Sequence, residues 1–495
     1  MKTSRALVGI DIGTSGLKAS IFDERGNCLA DSYRSSSYLD LPPGQMEQSA
    51  QNWWQSFCDA VKNILGQPNI RADMIAGIGI CGFHHCPVFL QENGQPSRPV
   101  IQLHDERLPL SRENLVEKGV LSQIELLTKS MVSAAHFPPI FHYVSTHDPD
   151  AIARTRWIVL AKDYLRFRLT ESIGTEICDA TGLNLIEPRQ SKWSKTLCEI
   201  LSVPIQTLPS ISSSTDIAGY VTEKAAEQTG LLAGTPVVYG GGDSHCALLG
   251  LGCIHNADTG MLLGTNSTLR TVFDDFVSHE EIRLWVQHHV IPHHYTVSAS
   301  SMAGASVLNW FRQVLCSEDD IEKLANSVEP IAIGSEGLTF LPYIYGERCP
   351  FYAPGTSGAF LGLKHWHKRE HFMNSVLEGV ALNIANCFDL ILECAASHNT
   401  TINHVRLAGG GSQLTLWHQI IADSLGMPIH IMNTYEAGTL GAAILAGIGT
   451  GIYTDYEQAV KTSVSTKQII EPNDSNHKKY LELKNKLNDF YRRIH

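Results

Sequence analysis

The sequence predicts an α/β protein built from two related halves, and three observations lead to this prediction. Near the N-terminus, strand-like runs at residues 6–12 and 17–22 flank the turn Gly13-Thr14-Ser15-Gly16, which predicts a β-hairpin with a glycine-containing tip. A similar segment occurs near the middle of the chain. Strand-like and helix-like segments are mixed in both halves, which is typical of α/β domains with sheet cores.

The second segment matches the first position by position. Residues 12–24 read IGTSGLKASIFDE and residues 263–275 read LGTNSTLRTVFDD, with Gly, Thr, Phe and Asp identical at matched positions. A short match can arise by chance, but this one divides the chain almost evenly. A repeat of this length indicates two similar domains rather than a solenoid of short repeats. We therefore predict one domain at residues 1–250 and a second at residues 251–495.

Hydrophobic periodicity places the other elements. Apolar residues recur at helical spacing in several segments, and short apolar runs elsewhere are strand-like. The predicted helices are residues 51–65, 374–396, 412–425, 438–447 and 476–495, and the predicted strands are residues 75–80, 236–239 and 404–408.

Composition limits the class of protein. Of the 495 residues, 43% are hydrophobic and 18% charged, which is enough apolar surface for full cores. The net charge is −12 without a long basic run, which disfavours nucleic acid as a partner. We find no signal-peptide pattern and no apolar stretch long enough to span a membrane. The 12 cysteines form no CxxC pair, so we expect reduced, mostly buried thiols in a cytoplasmic protein.

Four glycine-containing stretches have the parts that phosphoryl transfer needs, which are donors around the phosphates, Mg²⁺ and a base near the attacking hydroxyl. In the first, Asp11 ends an apolar strand before the glycine-rich tip, where it can hold hydrated Mg²⁺. In the second, residues 263–267, Leu262 stands in place of the acid, so we interpret this stretch as contacting phosphate only. For both, an ordinary tight turn is the alternative.

The other two stretches combine glycines with a candidate base or a helix N-terminus. Gly240-Gly241-Gly242 lets the backbone approach a ligand closely, and Asp243 can accept a hydroxyl proton. The alternative is that Asp243 only caps the following helix. Residues 408–412 read AGGGS before a predicted helix, whose N-terminus favours a phosphate or a nucleotide's sugar. The alternative there is a flexible loop.

Other ligand classes are disfavoured. No GxxxxGK[ST] motif occurs, which excludes a P-loop enzyme, and no GxGxxG follows the first strand, which weakens a dinucleotide site. The histidine-rich spots, such as His84-His85 and His288-His289, lack the carboxylates and spacing of a convincing metal site. We therefore expect no structural metal there.

These stretches, in this order, resemble the FGGY family of carbohydrate kinases over nearly the whole chain. The resemblance includes VGIDIGTSGLKASIFDERG from residue 8, GGGDSHCALLG from residue 240, FLPYIYGERCPFYAPGTSGAFLGL from residue 340 and AGGGSQLTLWHQIIADSLGMPI from residue 408. It implies two actin-like, ribonuclease H-like domains of the hexokinase, Hsp70 and actin superfamily, flanking a catalytic cleft. It also implies ATP as the phosphoryl donor and Mg²⁺ as its metal.

The resemblance implies roles for individual residues. Asp243 would be the general base on a sugar hydroxyl, and Asp11 and Asp243 would hold Mg²⁺. The implied contacts to the nucleotide are Asp11, Gly13, Thr14, Ser15, Lys18, Gly264, Thr265, Gly409, Gly410, Gly411 and Ser412. The implied contacts to the sugar are His84, His85, Asp105, Asp243 and Ser244.

Within the family the chain is most similar to the xylulose kinase branch, which implies a ketopentose such as xylulose as the acceptor. That branch typically has Gln-Met-His where residues 83–85 read Phe-His-His, Trp-Asn-Asp where residues 103–105 read Leu-His-Asp, and Asn where Ser244 stands. The departures leave another polyol or a sugar acid such as gluconate open. A non-catalytic sugar-binding protein is a further alternative, which Asp11 and Asp243 disfavour. Homodimers are common among similar kinases, so we keep a homodimer as an expectation.

Overall fold

The core of the protein consists of two seven-stranded sheets, one from each half of the chain. The structure, a computed structural model, describes residues 5–278, 284–315, 331–434 and 436–494. The first sheet uses strands between residues 6 and 242, and the second uses strands between residues 259 and 470.

Short helices and strands alternate in the first half. Its strands are β1 (Ala6–Ile12), β2 (Gly16–Asp23), β3 (Cys28–Ser35), β4 (Glu47–Gln48), β5 (Ile75–Gly82), β6 (Val88–Leu90), β7 (Val100–Ile101), β8 (Trp157–Val159), β9 (Thr175–Glu176), β10 (Ile211–Ser212), β11 (Ile217–Tyr220), β12 (Pro236–Val238) and β13 (Gly241–Gly242). Its helices are α1 (Ala50–Leu65), α2 (Leu108–Glu117), α3 (Val120–Thr128), α4 (Phe137–His147), α5 (Pro149–Ala153), α6 (Ala161–Thr170), α7 (Ile177–Thr181), α8 (Lys195–Leu201), α9 (Glu223–Thr229) and α10 (Asp243–Gly250).

The second half has longer helices. Its described strands are β14 (Thr259–Leu263), β15 (Ser267–Phe273), β16 (Trp285–His288), β17 (Tyr295–Ser301), β18 (Thr339–Leu341), β19 (Ala359–Leu361), β20 (Val405–Ala408), β21 (Ile429–Met432) and β22 (Thr466–Ile470). Its described helices are α11 (Ala305–Leu315), α12 (Arg369–Ser397), α13 (Thr415–Leu425), α14 (Ala437–Gly449), α15 (Tyr456–Ser463) and α16 (Asp474–Ile494).

The two sheets share one pairing pattern. The first has the order β11-β12-β5-β1-β2-β3, with β13 also beside β5, and the second has the order β16-β17-β15-β14-β20-β21-β22. In each, a hairpin of antiparallel strands (β1 with β2, β14 with β15) lies beside a parallel strand (β5 or β20). The repeated sequence segments therefore occupy equivalent hairpins. The domain boundary at residue 250 stays a prediction.

Both faces of β1 are buried, and its apolar side chains pack into a different cluster on each face. Val8, Ile10 and Ile12 belong to the main core of the first half, and Leu7 belongs to a second cluster that includes residues of α14. A strand buried on two faces is expected to read as a near-continuous apolar run, as this one does. Asp11 interrupts that run one residue before the strand ends.

The elements predicted from periodicity are observed with small shifts at their ends. The helix predicted at residues 412–425 begins only at Thr415, because Gly410–Gln413 form a 3₁₀ turn first. The helix predicted at residues 374–396 begins earlier, at Arg369. The glycine run before Asp243 is not a free loop, because Gly241 and Gly242 pair with the end of β5.

Helix α14 joins the two halves by close backbone packing. It belongs to the second half in sequence, but it packs on β1 and β5 of the first sheet and on α10. Glycine makes the approach possible: a Cβ at Gly9 would overlap the carbonyl of Thr439, and one at Gly79 would overlap that of Ala442. A Cβ at Gly441 would overlap the carbonyl of Cys246 in α10. The glycine- and alanine-rich sequence of α14 thus sets how closely the halves approach.

The prediction that no apolar stretch could span a membrane is wrong by length and composition alone. Within the described residues, α12 is apolar enough over 18 residues to pass such a test. Because 89% of that window is buried inside the protein, we interpret α12 as the core helix of the second half. It packs on α13, β17 and β18, as a central core helix does.

The cysteines follow the prediction in the part of the chain that the structure describes. Eleven of them are described and all are free thiols, and all but Cys28 are buried. They therefore act as small apolar core residues.

Adding one methyl group at the α14–α10 crossing should loosen the two halves. We expect Gly441→Ala to cost about 1–3 kcal/mol, because the new Cβ meets backbone rather than a movable side chain. The midpoint of thermal unfolding should fall by about 2–12 °C. Gly355→Ala is the matched control, because no heavy atom lies within 4 Å of its added Cβ. Equal midpoints for the two variants would contradict this packing.

Candidate active site

A cavity of about 590 Å³ lies between the two sheets and is lined by both halves of the chain. Nine of the residues predicted to bind nucleotide, metal or sugar line it: Asp11, Gly13, Thr14, Ser15, Lys18, His84, His85, Asp243 and Ser244. The second half contributes polar side chains from β15, β16 and β17, as well as Arg348. A volume of this size suits a small-molecule ligand.

Asp11 enters the cavity from the end of β1. Its Oδ1 atom is buried without a hydrogen-bond partner. Burial, and secondly the negative charge of Asp243, raises the pKa of Asp11 to about 7. Gly438 lies against the other oxygen, because a Cβ there would be 2.8 Å from Oδ2. A cation between the two carboxylates would relieve both the burial of charge and the repulsion.

Asp243 is the first residue of α10, directly after β13. Its Oδ1 accepts a hydrogen bond from the backbone N–H of Ser244 at 2.6 Å, so this oxygen satisfies one N–H in the first turn of the helix without being its N-cap. No described residue donates to Oδ2. The side chain is 38% exposed at the cavity wall, and burial raises the pKa of Asp243 although His84 and the Ser244 N–H oppose the shift. One oxygen therefore fixes the side chain and the other is available for a ligand.

A chain of polar contacts crosses the floor of the cavity; its first two links are hydrogen bonds, and the link from His84 to Asp179 is an ion-pair contact without hydrogen-bond geometry. Arg270 Nη1 lies 2.7 Å from His245 Nε2, His245 Nδ1 lies 3.2 Å from His84 Nε2, and His84 Nδ1 lies 3.0 Å from Asp179 Oδ1. Arginine can only donate, so His245 accepts at Nε2 and carries its proton on Nδ1. Burial, and secondly the charge of Arg270, lowers the pKa of His245 well below its usual value, which keeps the ring neutral. His84 Nε2 is also 3.8 Å from Asp243 Oδ1.

The same floor brings together three side chains that could ligate a metal. Within the described residues, ligand atoms of His84, Cys178 and His245 lie within 4.8 Å of one another. They are far apart in sequence, so spacing gave no sign of this cluster. The guanidinium of Arg270 at His245 disfavours a cation there, since like charges repel in a buried site. The hydrogen bond between His84 and His245 accounts for the proximity of these two rings without a metal.

A buried ion network supports the far end of this chain. Lys162 Nζ lies 2.7 Å from Asp163, 3.6 Å from Glu176 and 3.4 Å from Asp179, and all four side chains are almost fully buried. Arg166 adds a second cation beside Asp163. Neither oxygen of Asp179 accepts a hydrogen bond of good geometry from a described residue, and the nearest ionisable side chains are His84 at 3.0 Å and Lys162 at 3.4 Å. The segments LAKDYLRF and CDATG hold most of these residues, and their role is to support the floor.

Asp105, predicted to contact the sugar, does not line this cavity. Its Oδ2 accepts from the backbone N–H of Met46 at 2.7 Å and from Arg107 at 2.6 Å, and its Oδ1 accepts from Arg107 Nε at 2.8 Å. The carboxylate is fully buried in this ion pair. Its neighbours Leu103 and His104 line the cavity instead. The sugar-binding role of Asp105 stays a prediction.

The glycine loops of the second half also lie outside the lining. Gly409 has φ of 100° and packs on the backbone of Leu263, while Ser412 Oγ donates to the Gly409 carbonyl at 2.7 Å. Around Gly410 the space is open, since a Cβ there would meet no atom within 4 Å. The nucleotide contacts predicted there remain untested; these residues are Gly264, Thr265, Gly409, Gly410, Gly411 and Ser412.

Several cavity residues were not predicted from sequence. They come from one face of the second sheet and from a loop, and they are Thr268, Arg270, Trp285, Gln287, Ser298, Ser300 and Arg348. A sequence signal was available for Arg270. It lies in the repeated segment, and alternation along β15 places it on the same face as Thr268 and Val272.

Two family models match the chain. The model of the FGGY family of carbohydrate kinases, N-terminal domain, matches residues 6–250, and the C-terminal domain model matches residues 255–450. The chain belongs to the FGGY family of carbohydrate kinases. The predicted family and two-domain fold are therefore confirmed, and the chain is a phosphotransferase with an alcohol group as acceptor. Family members use ATP, and their acceptors are small-molecule sugars.

Proteins similar to this kinase are named for more than one class of substrate. A xylulose kinase of Bacillus subtilis (strain 168) is 28% identical over 490 residues, which cover 99% of this chain and 96% of the relative. Solved structures of a xylulose kinase and a gluconate kinase, both from Lactobacillus acidophilus, each superpose with a TM-score of 0.91 at 20% identity, covering 99% of this chain and 98% of theirs. At that identity the structures support the fold alone.

Removing the imidazole between Asp179 and Asp243 should destabilise this kinase. We expect His84→Leu to leave the buried Asp179 carboxylate without its nearest ionisable neighbour, at a cost of about 1–3 kcal/mol. Thermal unfolding of the purified variant measures this, with His365→Leu as the exposed control. An unchanged midpoint for His84→Leu would show that this chain of polar contacts contributes nothing to the fold.

Proposed function

We propose that this kinase transfers the γ-phosphoryl group of ATP to a hydroxyl of a small polyhydroxylated acceptor, with Asp243 as the general base. The observation that carries the proposal is the free Oδ2 of Asp243 at the cavity wall, while Oδ1 is fixed by the Ser244 N–H. A carboxylate held in this way accepts the proton of a hydroxyl as that hydroxyl attacks phosphorus.

Asp11 and Asp243 are the residues that would hold Mg²⁺. The fit is supported by the buried, unpartnered Oδ1 of Asp11 and by the mutual repulsion of the two carboxylates. When bound, the ion would neutralise charge on the phosphates. Asp243 lines the cavity and would present its free oxygen to the acceptor.

The turn between β1 and β2 is the proposed site for the terminal phosphates. Gly13, Thr14 and Ser15 line the cavity beside Asp11 and offer backbone N–H groups and hydroxyls. Lys18 lines it too, and its Nζ is held by Glu436 at 2.7 Å. The equivalent turn at Gly264 and Thr265, with the loop at residues 409–412, is the proposed site for the remainder of the nucleotide.

The proposal extends to the identity of the acceptor. The B. subtilis relative, named as a xylulose kinase, supports a ketopentose such as xylulose, which is also the acceptor that the sequence resemblance implies. Another polyol or a sugar acid is the alternative, since Phe83, His84, Leu103, His104 and Ser244 differ from the xylulose kinase pattern. A cytoplasmic location and a homodimer remain predictions.

Loss of the carboxylate at Asp243 should remove turnover and leave the fold intact. We expect Asp243→Ala to lower kcat by about 10²–10⁴-fold, which is the usual contribution of a positioned base. The measurement is ATP consumption by purified protein over a panel of ketoses, polyols and sugar acids. Asp40→Asn on the surface is the control. Turnover by Asp243→Ala close to that of the unmodified protein would rule out the base assignment.

Asp11→Asn should weaken the binding of the metal and the nucleotide rather than the binding of the acceptor. We expect the Mg²⁺ concentration for half-maximal activity to rise about tenfold, equivalent to about 1.4 kcal/mol of lost interaction. Calorimetry should show acceptor binding changed by less than about twofold, because Asn keeps the shape of the side chain. A larger loss of acceptor affinity than of Mg²⁺ affinity would contradict the assigned role.

A further inference from the structure

Two guanidinium groups line the cavity without an acidic partner. Among the described residues, no carboxylate oxygen lies within the 4.0 Å of an ion pair from either Arg270 or Arg348. Glu347, the neighbour of Arg348, directs its carboxylate to Ser301 and Asn383 instead. Lys18 and Arg107, by contrast, each contact a carboxylate of this chain. Among the described residues, the two cavity arginines therefore have no carboxylate of this chain to neutralise them.

Within the described residues, only Nη1 of the Arg270 guanidinium makes hydrogen bonds. Nη1 contacts His245 Nε2 at 2.7 Å, Gln287 Oε1 at 3.0 Å and Thr296 Oγ1 at 3.0 Å. Nε is buried without any hydrogen-bond partner, and no described residue accepts from Nη2. The edge formed by Nε and Nη2 is the fork that binds a carboxylate through two parallel hydrogen bonds.

The surroundings of Arg270 suit a polyhydroxylated molecule. In the register of the second sheet, Arg270 lies opposite Ser298, and Thr268 lies opposite Ser300, so these four side chains share the face that lines the cavity. Ser298 in turn lies opposite Trp285 of β16. Three small hydroxyl side chains beside an arginine and a tryptophan offer room and hydrogen bonds to a short chain of hydroxyl groups.

Burial makes the unpaired charge costly. Only 7% of Arg270 is exposed, and burial lowers its pKa to about 10. A buried cation without an anion is retained at a cost in stability, and a bound anion offsets that cost. The three neutral partners of Nη1 orient the side chain but do not neutralise it.

An anion at Arg270 could belong to the acceptor or to the nucleotide, and position favours the acceptor. Arg270 lies three residues along β15 from its first residue, Ser267, and so about 10 Å from the turn at Gly264 and Thr265 that is proposed for the nucleotide. Its partner His245 is on α10, two residues after the proposed base Asp243. The positive charge of Arg270 also lowers the pKa of Asp243, so the two side chains interact electrostatically. Arg270 therefore lies on the acceptor's side of the base.

Building on the kinase function proposed above, we propose that the acceptor is a sugar acid, the alternative given there, rather than a ketopentose, and that its carboxylate is bound by Nε and Nη2 of Arg270. Arg348, which donates to Ser300 Oγ at 3.2 Å, adds positive charge to the same wall. In the reaction, a hydroxyl oxygen of the acid bonds to the γ-phosphorus, the bond from phosphorus to the β–γ bridging oxygen breaks, ADP leaves, and the hydroxyl proton passes to Asp243. The carboxylate of the acid forms and breaks no covalent bond in this reaction.

Matched acceptors test the proposal. The probes are xylonate and gluconate against xylitol and glucitol, which have the same carbon chains without the carboxylate, and xylulose as the neutral ketopentose. We expect kcat/KM for the better acid to exceed that for its alditol and for xylulose by about 10²-fold or more, because the neutral compounds leave the guanidinium unpaired. A preference for xylulose or an alditol would overturn the proposal.

Variants of Arg270 separate the acceptor from the nucleotide. Arg270→Gln should raise KM for the acid by about 10–100-fold with KM for ATP changed less than about twofold, and Arg270→Lys should recover only part of the loss because it lacks the fork. The exposed Arg312→Gln is the control, and thermal unfolding checks that each variant is folded. A change in KM for ATP instead would assign Arg270 to the nucleotide and overturn the proposal.

Direct binding keeps this proposal separate from the kinase function. Calorimetry of the unmodified protein with xylonate or gluconate should show binding that Arg270→Gln weakens to the same extent as it raises KM. Absence of binding by either acid overturns the sugar-acid proposal even if a neutral sugar is phosphorylated. Binding of an acid without ATP consumption by any acceptor supports the carboxylate site and overturns the proposed kinase function.

Discussion

The contact of α14 with β1, β5 and α10 is the constraint on which the rest of the structure depends. Glycines on three elements remove the side chains that would otherwise separate backbone from backbone. As a result, the strand that carries Asp11 next to its end and the helix that begins at Asp243 are positioned by the same crossing. Both carboxylates owe their proximity to this packing rather than to any direct bond between them.

That packing creates a cavity with two carboxylates on one wall and, on another, two guanidinium groups without an acidic partner among the described residues. Asp11 and Asp243 lie towards the turn between β1 and β2, and each carboxyl has a raised pKa because burial disfavours its charged form. Arg270 and Arg348 lie on the other wall, and the pKa of each guanidinium is lowered for the same reason. A cation with phosphates at one end and an anion at the other would satisfy all four groups. Burial of these charges is costly, and ligands of opposite sign would offset that cost.

The sequence predicted those parts of the site that depend on local pattern. The hairpin of β1 and β2, the acid that ends β1 and the glycines before Asp243 are each visible in a window of a few residues. The sequence did not predict that the carboxylate of Asp105 pairs with Arg107 two residues away, or that Leu103 and His104 line the cavity. Such an ion pair depends on side-chain directions that no motif specifies.

Arg270 could not be assigned from sequence for a different reason. Its lack of an acidic partner is a property of the whole fold, since any carboxylate in the chain could have reached it. The structure also shows that the proposed base comes from α10 of the first half, whereas Arg270 comes from β15 of the second. A sugar acid bound at both places would connect the two halves across the cavity. Its binding energy would then stabilise the arrangement in which the hydroxyl faces Asp243, so that an acceptor without the carboxylate would lose orientation as well as affinity.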